Sequence, residues 1–574
     1  MNTIEIPVKP PRRFLPNDLK IDSWEKVEQY FRNLKERSIG SVADLEQWLL
    51  DWSEVDAVFN EDLAWRYIKM TCDTTDQGRV DSYNFFISQI EPRLAPYHND
   101  FSKKLIECPF VRELDSDKYA IFLRTVRKNV KLFREENIPL MVEIATESQK
   151  YGSINALMTV TVNGEEMTLQ KAATLLKSPD RGLREEVFMK MQQRRGQDEQ
   201  ALNDLLTRLI RLRHRVAVNA GFENFRDYKH AQLGRFDYTV QDCFDFHDSI
   251  AREIVPVVEE FDRARKKQLG LESLRPWDTE VDPSGKPALR PFSDARELIG
   301  KSIECFQRVS PYFAERLEIM DQMGYFDLDS RKGKAPGGYN YTLDEIGVPF
   351  IFMNSVGSQR DLVTMVHEGG HAVHSFLSRD LELTAFKSLT SEIAELASMA
   401  MELMSMEHWD VFYPEQDELR RARFEQLEKV LRGLSWIARV DKFQHWLYEN
   451  PEHTVQQRNA YWMQLGAEFS SREVDWSGYT EAAARTWQAQ LHIFEVPFYY
   501  IEYGFAQLGA IAVWRNYKRN ASQAVENYSN ALRLGYTRSI PEIYEAAGIR
   551  FGFSPDYVKE LIGFVKSELN RLHS

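Results

Sequence analysis

Cysteine and long apolar runs are scarce in this chain, and positive charge is outnumbered by negative. Across 574 residues, 73 Lys and Arg stand against 87 Asp and Glu, a net charge of −14. A surplus of that sign does not suit nucleic acid or an anionic lipid surface as the main partner. The longest apolar run, GFAQLGAIAVW at 504–514, falls short of the ~20 residues that span a bilayer. The opening MNTIEIPVKPPRRF has no apolar stretch of signal-peptide type. Cysteine is limited to Cys72, Cys108, Cys243 and Cys305, too widely spaced for a paired metal or redox motif. They read as buried thiols in a reducing compartment. There is no internal repeat and no low-complexity tract. The expectation is a soluble, cytoplasmic protein. Its 12% aromatic content is too high for a disordered chain, and its length allows several packed subdomains.

What is present is mostly helical periodicity. Apolar residues recur at three- and four-residue intervals over 18–36, 41–51, 79–105, 116–149 and 199–218, and Lys171–Arg195 is also expected to be helical. Residues 158–169 read as a hairpin turning at Asn163-Gly164. Residues 270–292, rich in Pro and Gly, read as a loop between subdomains, and 329–342 as a second break. After that break, Tyr339, Tyr341, Phe350 and Phe352 alternate, which predicts two or three strands over 337–354. The fold class expected is mainly α with a small β-sheet.

His367-Glu-Gly-Gly-His371 is the most informative stretch. Positions i and i+4 of a helix share a face, so both imidazoles can reach one metal ion. The carboxylate of Glu368 points elsewhere and can take a proton from water. Two such histidines and a base are the arrangement of a zinc protease. Ser358 and Asp361 read as an N-terminal capping pair, and Leu362, Val366 and Val373 supply a core face. Gly369 and Gly370 each cost about 1 kcal/mol relative to Ala in a helix. Their presence calls for close approach of a metal, a substrate or a neighbouring backbone. A third ligand is sought on a second helix at 390–408, capped by Thr390 or Ser391. Glu392, Glu395, Met399 and Glu402 share one face of it. Glu395, 24 residues after His371, leaves room for an antiparallel return. Glu392, one turn earlier, is the alternative, as a ligand or as an acid orienting a ligand. His374 reads as a group beside the ligands. His98, His214, His230, His247, His408, His445, His453 and His573 show no ligand spacing.

HEGGHAVHSF followed by SEIAELAS resembles the thimet oligopeptidase and oligoendopeptidase F family of zinc peptidases. So do GGYNYTL at 337–343, VPFIFMNSVGSQRDLVTMVHE at 348–368 and HIFEVPFYYIEY at 492–503. The resemblance implies His367, His371 and Glu395 as ligands of one zinc ion and Glu368 as general base. It implies oxyanion donors among His492, Tyr499, Tyr500 and Tyr503, on a wall facing the metal. A further tyrosine of that family segment is Ala506 here, so the choice among the phenols stays open.

The resemblance also implies two helical lobes around a deep substrate channel, with the small sheet next to the zinc-binding helix. The expected division is an N-terminal helical region with the hairpin at 1–200 and a catalytic region at 201–574, with the lobes interleaved. The expected function is a zinc metalloendopeptidase acting on short unstructured peptides, which are its expected partners. Two rivals are a zinc carboxypeptidase or dipeptidase of related helical fold and a non-catalytic peptide-binding protein. The intact Glu368 argues against the latter. The sequence assigns no oligomeric state.

Overall fold

The computed structural model describes residues 4–573. Helices dominate, and the only sheets among the described residues are one of two strands and one of three. The chain divides into two compact units, each assembled from three separated segments.

The first unit comprises Met1–Leu132, Arg290–Arg420 and Gly509–Phe551. Its N-terminal part packs the helices Trp24–Glu36, Val42–Cys72, Glu91–Glu107 and Ser116–Leu132 around Phe31, Trp48, Phe59 and Phe101, with Leu383 and Phe386 added from later in the chain. Val42–Cys72 runs far beyond the expected 41–51, because Val55, Val58, Phe59, Ala64 and Ile68 continue its buried stripe. The expected helix over 79–105 is present but passes through a π-helical turn at Phe86–Ile90. The single helix expected over 116–149 is instead two, Ser116–Leu132 and Ile138–Ala156. Pro139 accounts for the break: without an N–H it can open a helix but not continue one. The boundary between the units falls in this gap.

Strands β3 (Phe326–Asp329), β4 (Tyr339–Leu343) and β5 (Val348–Ser355) form the three-stranded sheet in the order β3-β5-β4. β3 is parallel to β5, and β4 antiparallel to it with Tyr341 opposite Phe350. Central β5 is buried along almost its whole length, hence its unbroken run VPFIFM. It leads through Gly357, at φ +85°, into the helix Gln359–Ser378 that carries HEGGH. The expected capping pair is formed there. Ser358 Oγ accepts from Asp361 N–H, and the Asp361 carboxylate accepts from the N–H groups of Ser358 and Val356, both at 2.9 Å. Helix Ser391–Met406, carrying Glu395, packs on the HEGGH helix.

The two glycines find their reason here. A Cβ on Gly370 would lie 2.7 Å from Ser398 Cα and 2.8 Å from Ala397 O; one on Gly369 would lie 2.7 Å from the Phe306 ring. The helices thus touch backbone to backbone at Gly370. Two phenols also bond carbonyls of the second helix: Tyr528 Oη donates to Ala397 O at 2.8 Å and Tyr544 Oη to Glu392 O at 3.1 Å.

The second unit comprises Phe133–Leu289, Arg421–Leu508 and Gly552–Ser574. It holds the expected hairpin of strands β1 (Thr159–Val162) and β2 (Glu165–Thr168), turning at Asn163 (φ 52°) and Gly164 (φ 81°), as a two-residue turn of this hand requires. The irregular residues 270–289 are ordered by Asp278, fully buried and paired with Arg181 and Arg184, each at 2.8 Å. Arg213, also buried, donates to Tyr448 Oη at 2.8 Å and to the carbonyl of Phe494.

Gly370→Ala tests the helix contact. The gain of about 1 kcal/mol in helix propensity is set against a backbone clash that cannot be relieved by turning a side chain. A net loss of roughly 1–3 kcal/mol is expected, read as a lowered Tm together with weaker metal retention. An unchanged Tm would mean that the helices are not in backbone contact at this point.

Candidate metal centre

The HEGGH helix presents His367 and His371 with ring centroids 4.9 Å apart. Glu395 Oε2 lies 3.4 Å from His367 Nε2 and 3.9 Å from His371 Nε2. The three ligand atoms lie within 4.8 Å of one another. His374 and Glu392 do not belong to this group. His374 is buried, and its burial pushes its pKa down to about 3.

The acid bonded to a histidine of this group is Glu402. Glu402 Oε1 sits 2.7 Å from His367 Nδ1, so that nitrogen carries a proton and Nε2 is the nitrogen turned toward Glu395 and His371. The only sequence signal was position: Glu402 lies two helical turns after Glu395 on the same face. Asn340 was also missed. Its Nδ2 donates to Glu368 O at 3.1 Å, tying edge strand β4 to the HEGGH helix.

The electrostatics match a cation site. Burial acts to lower the pKa of His367, but Glu395 and Glu402 outweigh it and hold it well above the usual range. Burial pushes His371 down to about 4 in spite of Glu395, leaving a neutral imidazole at pH 7. Burial acts to raise Glu395 as well, yet His367, His371 and Ser398 hold it at about 2. A place where two carboxylates stabilise positive charge on one imidazole is a place where a dication is stabilised. Two nitrogens and one carboxylate oxygen are a donor set that fits zinc. Glu368, next in the chain, is buried; its burial, opposed by His367 and aided by the carboxylates of Glu395 and Glu402, pushes its pKa up to about 7.

The four remaining expected site residues belong to the second unit, where they gather into a cluster of their own. The His492 ring lies 4.7 Å from Tyr500, 6.0 Å from Tyr503 and 6.1 Å from Tyr499. Tyr503 lies 5.3 Å from Tyr499 and 5.5 Å from Tyr500. Gln490 Nε2 meets His492 Nδ1 at 2.7 Å. Just before the tyrosines Phe498 takes φ +67°, unusual for a residue with a side chain. Gln444 Oε1 accepts its N–H at 2.8 Å, and Arg235 bonds its carbonyl and also pairs with Glu502 at 2.9 Å.

Residues 174–562 match the model of Peptidase family M3, and residues 14–133 that of the Peptidase M3 N-terminal domain. The chain belongs to peptidase family M3. Among its relatives is an oligoendopeptidase F homolog of Borreliella burgdorferi, 22% identical over 558 residues, covering 93% of this chain and 88% of that one. A solved structure of Pz peptidase A with an inhibitor superposes with a TM-score of 0.89 at 25% identity, covering 97% of this M3 chain and 99% of the other. The oligoendopeptidase F of Enterococcus faecium shares the fold, with a TM-score of 0.64 at 17% identity and coverage of 96% and 97%. The mainly helical architecture expected from sequence is therefore that of a peptidase family.

Glu402→Gln should weaken metal binding roughly 10–100-fold by removing the carboxylate behind His367, while Glu392→Gln has a much smaller effect. Competition with a chromophoric chelator measures both. Equal losses would withdraw the orienting role from Glu402.

Proposed function

We propose that this M3 peptidase is a zinc-dependent endopeptidase that hydrolyses internal bonds of short, unstructured oligopeptides. The convergence of His367 Nε2, His371 Nε2 and Glu395 Oε2, with Glu368 beside them, carries the reading. Held by these three residues, zinc would supply Lewis-acid polarisation of water and of the scissile carbonyl. Glu368 accepts the proton of the attacking water and passes it to the leaving amine. A carboxylate raised to about 7 is suited to both transfers near neutral pH. Glu402 keeps His367 in register throughout.

Substrate preference follows from the sheet. β4 is an edge strand, and Asn340 on it is bonded to the carbonyl of Glu368. An extended peptide that adds to such an edge is held by main-chain hydrogen bonds with broad tolerance of sequence. The names of the relatives, oligoendopeptidases and oligopeptidases, agree with such a substrate. The oxyanion donors are assigned by resemblance to His492, Tyr499, Tyr500 and Tyr503. A reducing, cytoplasmic setting fits four cysteines that form no disulfide. Among the described residues no helix is long and apolar enough to cross a membrane.

Glu368→Gln should retain the metal yet lose turnover by about 10²–10⁴, tested on a peptide blocked at both ends with products read by mass spectrometry. Internal cleavage by the parent enzyme supports an endopeptidase; activity only on free C-termini would make it a carboxypeptidase. Full activity in Glu368→Gln would end the assignment of the base.

Tyr503→Phe should lower kcat roughly 10²–10³-fold, the cost of losing one oxyanion donor, with metal content unchanged. An unaltered kcat would transfer the role to Tyr499, Tyr500 or His492, which the same measurement ranks.

A further inference from the structure

A second group of metal-binding side chains lies in the second unit, apart from every residue used above. Cys243 and His247 stand four positions apart on helix Val240–Glu253, and Asp441 and His445 four apart on helix Gln416–Glu449. At that spacing each helix presents its pair on one face, and the two pairs meet. His247 Nε2 is 2.9 Å and His445 Nε2 3.1 Å from the same oxygen, Asp441 Oδ2. One ligand atom each of Cys243, Asp441 and His445 lie within 4.8 Å of one another.

The cluster is dry. Cys243, His247 and Asp441 are 0% exposed and His445 2%. The rings of Phe244 and Phe498 lie 4.9 and 5.3 Å from His445, and that of Phe469 lies 6.5 Å from His247. His247 Nε2 and Asp441 Oδ2 bond each other, but other polar atoms of the cluster are left over. Among the described residues Asp441 Oδ1, His247 Nδ1 and both ring nitrogens of His445 have no hydrogen-bond partner. His445 Nε2 lies at ion-pair distance from the carboxylate without an aligned hydrogen bond to it. An ionised carboxylate enclosed this way costs several kcal/mol unless positive charge accompanies it.

We propose that Cys243, Asp441 and His445, with His247 holding the carboxylate in place, form a structural site for a borderline-soft divalent metal ion, zinc foremost. One sulfur, one nitrogen and one carboxylate oxygen suit zinc or cobalt and do not suit calcium or magnesium, which take oxygen ligands. On binding, the Cys243 S–H bond breaks, its proton leaves to solvent and the sulfur–metal bond forms. A dication with one thiolate, one carboxylate and neutral imidazoles sums to zero charge, the state that a dry enclosure favours. Full burial makes the site structural: the ion is taken up as the chain folds and clamps the two helices together.

The test removes the first site from view. Full-length His367→Ala/His371→Ala protein is produced in zinc- or cobalt-supplemented medium and its metal content measured by mass spectrometry. About one ion per chain is expected to remain, with a thiolate-to-cobalt charge-transfer band in the near ultraviolet. Adding Cys243→Ser should abolish the band, and adding Asp441→Asn should strip the ion at least tenfold, with folding checked by circular dichroism. If the added substitutions prevent folding, the parent variant's cobalt spectrum, with half-buried Cys72 also replaced by Ser, decides alone. A folded parent variant without metal, or bound cobalt without a thiolate band, overturns the proposal.

Discussion

The approach of two helix backbones at Gly370 is the constraint on which the candidate metal centre rests. Ser398 Cα and Ala397 O occupy the space a side chain there would need. Only at that separation does a glutamate on one helix bring its carboxylate within 4 Å of imidazoles on the other. The remaining features set the register of the contact. The Ser358–Asp361 cap fixes where the first helix begins, and buried β5 fixes where the chain enters it. Tyr528 and Tyr544 hold carbonyls of the second helix.

Buried glutamates in this one small region behave in opposite ways. Glu395 is held at about 2 and Glu368 is pushed to about 7, although both are buried. Burial acts on them in the same direction; what differs is the partner. Glu395 is bonded to an imidazole and a hydroxyl and faces a second imidazole, which outweigh burial; at Glu368 the pull of His367 is opposed by two carboxylates and burial prevails. Environments that push like groups apart in this way separate a charge-holding role from a proton-transferring one.

The HEGGH helix, its cap, its glycines, the hairpin at Asn163-Gly164 and the mainly helical class were legible because each is a local pattern. The break at Pro139 could also have been read, since proline opens helices and does not continue them. The identity of the orienting acid could not. Glu392, Glu395 and Glu402 share a face, and only the rotation of one helix against the other decides that Glu402 meets Nδ1 of His367. The same holds for Cys243, His247, Asp441 and His445. Each helix carries a pair at i and i+4, but nothing in either pair marks it out until the helices pack. Phe498 is a further case: its left-handed backbone follows from Gln444 and Arg235, residues far away in sequence.

The tyrosines bonded to carbonyls of the Glu395 helix bear on the order of biosynthesis. The three ligand candidates span residues 367 to 395, and the two helices that carry them can meet as soon as both have left the ribosome. Tyr528 and Tyr544 emerge more than a hundred residues later. Until then the carbonyls of Glu392 and Ala397 lack their phenol donors. A growing chain therefore carries the ligand set well before it carries the support that holds the set in place, so the site matures late in translation although its ligands are encoded close together.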